Sequence, residues 1–293
     1  MPLCTVTPYA TISSIIGGHT RLMSPSRIAD TFARLRERGE TGLIVYLTVG
    51  FPDLDATLEL VPALAEGGAD IIELGVPFSD PLADGVTIQK ASFHALNQGV
   101  TLTTCIETVA KLRSAGLETP LILMGYYNPY WVYGIDRFAK DAASAGVDGV
   151  IAADVPTEES GPLAAECANN GLALIPLLAP TSPDQRIAAA CSQATGFVYC
   201  VSLTGVTGAR QQVSSGAESL VARVRSHTSL PVAVGFGISS REHAAKVGTY
   251  ADGAVVGSAL LNTIESAPRN RVADEARAFA RELSGRNPVE ATK

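Results

Sequence analysis

Eight short apolar runs, each followed by a segment of helical periodicity, constrain this chain more than any other feature. The runs occupy residues 43–49, 71–74, 121–124, 149–152, 174–178, 197–201, 232–234 and 254–256. They are continuously hydrophobic rather than alternating, as strands are when a sheet is covered on both faces. Helical patterns fill the intervals at 57–65, 104–114, 135–145, 158–169, 184–192, 218–226 and 241–247, and a closing helix is expected at 272–283. Ahead of the first run, residues 27–38 place Ile28, Phe32 and Leu35 on one helical face. The pattern predicts an α/β fold: a single (β/α)8 TIM barrel with an extra N-terminal helix. At 293 residues with 46% apolar and 17% charged side chains, the chain is large enough for one such core. The expected organisation is an extension over 1–25, disordered or an upstream start, a catalytic barrel over 26–285, and a tail over 286–293.

In such barrels chemistry gathers at the C-terminal ends of the strands. The second run ends in "ELGVPFSDPLADG", residues 73–85, where Glu73, Asp80 and Asp84 stand among prolines and glycines. Glu73 leaves the sheet flanked by Ile71, Ile72, Leu74 and Val76, an apolar setting that raises a carboxyl pKa toward the range useful for proton transfer. Loop aspartates usually cap turns, and on sequence chemistry alone Asp80 and Asp84 read that way. Glycine-bearing turns follow runs six, seven and eight: "GVTG" (205–208), "GFGISS" (235–240) and "GSA" (257–259). Backbone N–H groups at glycines and helix starts suit an anion, and the loops after the last strands of such barrels commonly bind phosphate.

Composition removes other chemistries. The net charge is -7, which argues against a nucleic-acid surface. Lys90, Lys111, Lys140 and Lys246 fall on expected helices, so no strand ends in a Schiff-base lysine. The four histidines are scattered without ligand spacing, and no G-x-G-x-x-G opens a helix after the first strand. Five cysteines without C-x-x-C spacing fit reduced thiols and a cytoplasmic protein, with plastid import by the N-terminal extension as the alternative. No membrane span is expected. Carboxylate acid/base chemistry on a small phosphorylated molecule remains, with no metal or cofactor.

The residues also carry a resemblance. "ELGVPFSDPLADG", "MGYYNP" (124–129), "ADVPTEES" (153–160), "APTSP" (179–183), "SLTGVTG" (202–208), "GFGIS" (235–239) and "VVGSAL" (255–260), in this order, closely resemble the tryptophan synthase α-chain family over about residues 26–283. The resemblance implies a lyase of tryptophan biosynthesis that cleaves indole-3-glycerol phosphate to indole and glyceraldehyde 3-phosphate without a cofactor. It implies that Glu73 is the acid/base, that Asp84 faces the indole N–H, and that Tyr199 lies beside Glu73. Tyr46 and Tyr126 would line the indole pocket, and Thr207, Gly208, Phe236, Gly237, Gly257 and Ser258 would hold the phosphate. Asp80 and Asp154 would couple to a pyridoxal-phosphate-dependent β chain in an α2β2 heterotetramer. Two alternatives accompany this expectation: an autonomous lyase that needs no β chain, and a non-catalytic barrel that only binds a partner. Val45 stands where the family often has proline, and Leu203 where it often has a polar or basic side chain.

Overall fold

The computed structural model describes residues 26–201, 215–235 and 237–286. The chain begins with α1 (Arg27–Arg38) and then alternates: β1 (Gly42–Thr48), α2 (Leu54–Glu66), β2 (Ile71–Gly75), α3 (Val86–Asn97), α4 (Leu102–Ser114), β3 (Leu121–Gly125), α5 (Tyr127–Tyr133), α6 (Ile135–Ala145) and β4 (Gly149–Ala152). The second half runs α7 (Gly161–Asn170), β5 (Ala173–Leu174), β6 (Leu177–Leu178), α8 (Asp184–Gln193), β7 (Val198–Val201), α9 (Ser215–Arg225), β8 (Val232–Gly235), α10 (Arg241–Gly248), β9 (Gly253–Val256), α11 (Ser258–Ser266), a 3-10 turn (Arg269–Arg271) and α12 (Val272–Ser284). All pairings are parallel, in the order β5-β4-β3-β2-β1-β9-β8-β7-β6.

The fifth apolar run, read as one strand over 174–178, is split because Pro176 has no N–H to give the ladder. Its first half pairs with β4, continued by Ile175 N–H donating to Val150 O; its second half pairs with β7, which donates from Tyr199 N–H to Pro176 O. The two edges of the sheet are therefore joined by the chain itself, and the barrel closes. Helix boundaries differ from the periodicity by a few residues where caps decide them. Asp53 and Thr101 accept from Ala56 and Thr104 N–H, so α2 and α4 begin before their apolar stripes. The turn at 156–160 delays α7 to Gly161. The short α5 and α11 are helices additional to those expected from the periodicity, each following directly on a strand end.

Helix α1 seals the N-terminal end. Arg27 bonds Asp148 ahead of β4, Leu35 and Phe32 lie against Gly42 at the start of β1, and Ile28 and Phe32 pack on Gly196 and Phe197 ahead of β7. No helix of the described residues is long and apolar enough to cross a membrane.

The same end repeats a two-bond clamp four times. Asp70 N–H donates to Leu43 O at 2.8 Å while Leu43 N–H donates to the Asp70 carboxylate at 2.7 Å. Asp148 and Leu121 do the same at 2.9 and 2.8 Å, and Asp252 and Val232 at 2.8 Å for both bonds. Thr195 and Leu174 repeat it with a hydroxyl, at 3.0 and 2.9 Å. Each clamp satisfies an N–H in the first two residues of a strand, at Leu43, Leu121, Leu174 and Val232, that would otherwise be a buried open donor. Arginines complete the three carboxylates: Arg286 on Asp70, Arg27 and Arg113 on Asp148, Arg225 on Asp252. Asp148→Ala should accordingly lower stability by about 1–3 kcal/mol or more, because it orphans Leu121 N–H and removes the carboxylate that Arg27 and Arg113 share, leaving Arg113 with backbone carbonyls alone. Thr195→Ala, which loses a neutral acceptor only, should cost less; urea midpoints of the two variants check the order.

Candidate active site

The C-terminal end of β2 places Glu73 inside the barrel. Glu73 is level with Tyr46 on β1 and Ile122 on β3 in the parallel register. It is fully buried, and among the described residues neither carboxylate oxygen has a hydrogen-bond partner. Desolvation pushes its carboxyl up to about 8, so near neutral pH it holds a proton.

Two tyrosines flank Glu73 in a repeated arrangement. Tyr46 is opposite Glu73, and its ring crosses the next layer so that its hydroxyl lies against Gly75, two residues further along β2. Tyr199 on β7 is opposite Ala233 on β8, and its hydroxyl lies against Gly235, again two residues on. A side chain at either glycine would collide with the phenol. Both phenols are buried and desolvation raises their pKa values, with the Glu73 charge adding to the rise.

Asp84 reaches the site from the loop after β2. The sequence offers it as a turn residue, yet it is buried, because long-range contacts fold the loop inward. Tyr126 Oη accepts from Ala83 N–H at 2.9 Å, its ring stacks on Phe78 at 5.0 Å, and Phe78 N–H donates to Ser92 Oγ on α3 at 3.0 Å. Gln89 donates to Asp84 O at 2.9 Å. Burial raises the Asp84 carboxyl to about 6, against the lowering effect of its hydrogen bond with Tyr126. Two carboxyls with separated pKa values thus share one interior.

Two of the three glycine turns are partly described. Gly257 is the residue before α11, whose first turn begins with the exposed Ser258. Gly237, at φ +81°, precedes the Ser240-capped α10. Thr207, Gly208 and Phe236 lie outside the described residues, as do Leu203 and the extension. Asp80 is exposed and takes a bond from Ser79 Oγ at 2.6 Å. Asp154, also exposed, accepts from Tyr127 N–H at 2.8 Å and so ties the end of β4 to the start of α5. Asp80 and Asp154 are thus at the mouth but outside the buried carboxyl pair. Among the described residues no three His, Cys, Asp or Glu side chains converge to hold a metal ion.

Sequence reasoning passed over Gly75 and Thr48, and read Gly235 only as the start of a glycine turn, whereas it ends β8 beneath the Tyr199 ring. The sequence signal for the two glycines is a position two beyond the register partner of a tyrosine, which needs the strand register to be known.

The model of a protein family described as tryptophan synthase alpha chain matches residues 32–287. The tryptophan synthase α chain of Roseiflexus castenholzii is 55% identical over 260 residues, covering 89% of this chain and 100% of its own length. That of Geobacter sulfurreducens is 51% identical over 240 residues, covering 82% and 90%. Among solved structures, tryptophan synthase subunit α from Legionella pneumophila superposes with a TM-score of 0.82 at 34% identity, covering 89% of this chain and 98% of that one. Mycobacterium tuberculosis tryptophan synthase gives 0.82 at 40% identity with the same coverage. With the closed barrel and the paired buried carboxyls, these matches establish that the chain belongs to the tryptophan synthase α-chain family.

Proposed function

We propose that Glu73 is the acid/base and Asp84 the fixed anion in retro-aldol cleavage of indole-3-glycerol phosphate, the lyase reaction of this family's part in tryptophan biosynthesis. The observation that carries the assignment is Glu73 itself: a fully buried carboxyl, its pKa pushed up to about 8 by desolvation, with no partner for either oxygen among the described residues. Indole is a poor carbanion leaving group. Protonated Glu73 gives its proton to ring C3, which turns the ring into an iminium-like cation. The Glu73 carboxylate then takes the proton from the hydroxyl on the side-chain carbon bonded to C3. As that O–H breaks, the carbon–carbon bond cleaves, its electron pair restores the ring, and the aldehyde of glyceraldehyde 3-phosphate forms. The proton count on Glu73 is thereby restored. Asp84 stabilises the transient positive charge at the ring nitrogen, where preorganised charge has most effect.

Tyr126 and Tyr46 wall the indole, and Tyr199 stands beside Glu73. Gly237, Gly257 and Ser258 offer backbone or hydroxyl donors to the phosphate, along with Thr207, Gly208 and Phe236. The fitted partner is a tryptophan synthase β chain in an α2β2 assembly. Support comes from apolar side chains left open at the mouth: Leu82 is 88% exposed, Val86 77%, Trp131 60% and Val132 75%. A groove of about 450 Å³ beside them is lined by Tyr127, Trp131, Asp154, Pro156 and Glu159.

Glu73→Gln should abolish turnover, a loss of about 10²–10⁴ or more, while substrate affinity stays within about tenfold. The same variant should be more stable than wild type at pH 8. The folded pKa is raised from 4.5 to about 8, so across that window the native state alone holds the proton and wild-type stability falls as pH rises. The advantage should vanish near pH 4, as thermal midpoints at the two pH values will tell. In wild type, kcat/KM should follow a bell, rising through about 6 as Asp84 ionises and falling through about 8 as Glu73 does. Asp84→Asn should lower turnover and lose the part of the acid limb that is not the substrate phosphate, whose second ionisation also lies near ~6. For the partner, a substrate analogue should tighten α–β association, with a coupling of about 1–3 kcal/mol that Asp80→Ala reduces. Calorimetry with and without analogue measures it, and equal affinities in all titrations would favour the autonomous lyase.

A further inference from the structure

The acid/base cycle leaves one buried polar group without a task. Tyr46 is 8% exposed, and its ring spans the inner wall from Gly257, the residue ahead of α11, to Gly75 on β2. A phenylalanine would fill the same space without the cost of burying a hydroxyl. The hydroxyl meets Thr48 Oγ1 at 3.3 Å, and Thr48 is itself fully buried with no other side-chain partner among the described residues. The titratable groups facing it are Glu73 from β2, Asp84 from the following loop, Tyr126 from the end of β3 and Tyr199 from β7. Of the three phenols, Tyr126 feels Asp84 and Tyr199 feels Glu73; Tyr46 feels both carboxyls.

The reaction makes a demand that the resting site does not meet. Once Glu73 has given up its proton, it is a buried carboxylate, and neither oxygen has a donor among the described residues. An anion so placed is costly unless a hydrogen bond reaches it. The same lack of partners leaves the carboxyl untethered, so a turn of its own side chain can bring it to a neighbouring hydroxyl. Among the described residues the side-chain oxygen in reach of the Thr48 proton is that of Tyr46. If Thr48 donates there, the phenol proton is left free to point into the site.

We propose that Thr48 donates to the Tyr46 oxygen and that Tyr46 O–H in turn donates to Glu73 once it is ionised, making Tyr46 a positioning residue that shelters the transient Glu73 carboxylate. No bond is broken in this step: the phenol keeps its proton throughout. The inference rests on the acid/base role assigned to Glu73, and it gives Tyr46 a function beyond lining the indole pocket.

The test is a carboxyl titration by carbon-13 NMR on protein labelled at glutamate and aspartate side-chain carboxyls, with Glu73→Gln and Asp84→Asn identifying the two signals. Loss of a donor to an ionised carboxyl raises its pKa, so in Tyr46→Phe the Glu73 midpoint should move up by about half a unit or more. The falling limb of the kcat/KM bell should move to higher pH with it, with KM at the optimum changing less than kcat. Thr48→Val should shift the same midpoint in the same direction by less. A Glu73 midpoint that stays in place or moves down in folded Tyr46→Phe overturns the proposal and leaves the tyrosine as packing. Should Tyr46→Phe not fold, Thr48→Val decides by the same criterion. Failure of the underlying reading looks different: Glu73→Gln would retain turnover, whatever the titration of Tyr46→Phe reports.

Discussion

A parallel ring can close only if every strand finds two neighbours, and here that condition falls on five residues of the fifth run. Pro176 cannot donate, so Ala173–Leu174 serves one neighbour and Leu177–Leu178 the other. Closure confines the interior to whatever inward-facing side chains fill it, and an enclosed interior has a low effective dielectric. Glu73 owes its properties to that confinement. With α1 sealing one end and apolar strands on either side, its carboxyl is desolvated without an ion pair to offset the loss, and the proton stays on. Three of the four clamps at the sealed end hold the ring in register through carboxylates paired with arginine, whereas the Glu73 carboxyl, further along β2, has no hydrogen-bond partner among the described residues. Stability and chemistry are thus separated along the barrel axis, as expected of strands whose two ends have different duties.

Within that interior, space is allotted by glycine. Tyr46 and Tyr199 each extend over a glycine on the next strand, at the same offset from their register partners, on β1–β2 and β7–β8. The missing side chains let two rings lie flat against the wall and bring two hydroxyls to the layer above Glu73. Any larger residue at Gly75 or Gly235 would push a phenol into the space a substrate needs. These glycines are interior positions chosen for volume; neither has a positive φ.

The sequence revealed different amounts at different levels. The barrel was legible because continuous apolar runs and 3.6-residue periodicity repeat often enough to override local ambiguity, and α1 and α6 match their expected spans. The split of run five and the ends of α2, α4 and α7 were less legible, since they depend on a proline's missing donor and on single capping side chains. Glu73 could be singled out from its place at a strand end. Asp84 could not, except by resemblance, because what buries it is Tyr126, over forty positions away in the chain, and Ser92 on α3. The Tyr46–Thr48 pair was hidden for a related reason: i and i+2 share a face, but the sequence does not say that the ring tilts over Gly75 to meet the hydroxyl.

One residue connects the interior to the exposed mouth. Tyr126 closes the carboxyl site: its hydroxyl accepts from Ala83 N–H and lies near Asp84, and the next residue, Tyr127, opens α5 with its N–H held by Asp154. Four residues later α5 presents Trp131 and Val132 to solvent. A partner seated on those side chains would press on a helix whose first peptide adjoins the tyrosine beside Asp84. Movement of α5 would then shift Tyr126 relative to Asp84. The route is short and passes the Asp154 contact, whose loss would free the start of α5 without touching either buried carboxyl. Coupling between two sites needs a discrete element to bias, and α5 is the element placed to serve as one.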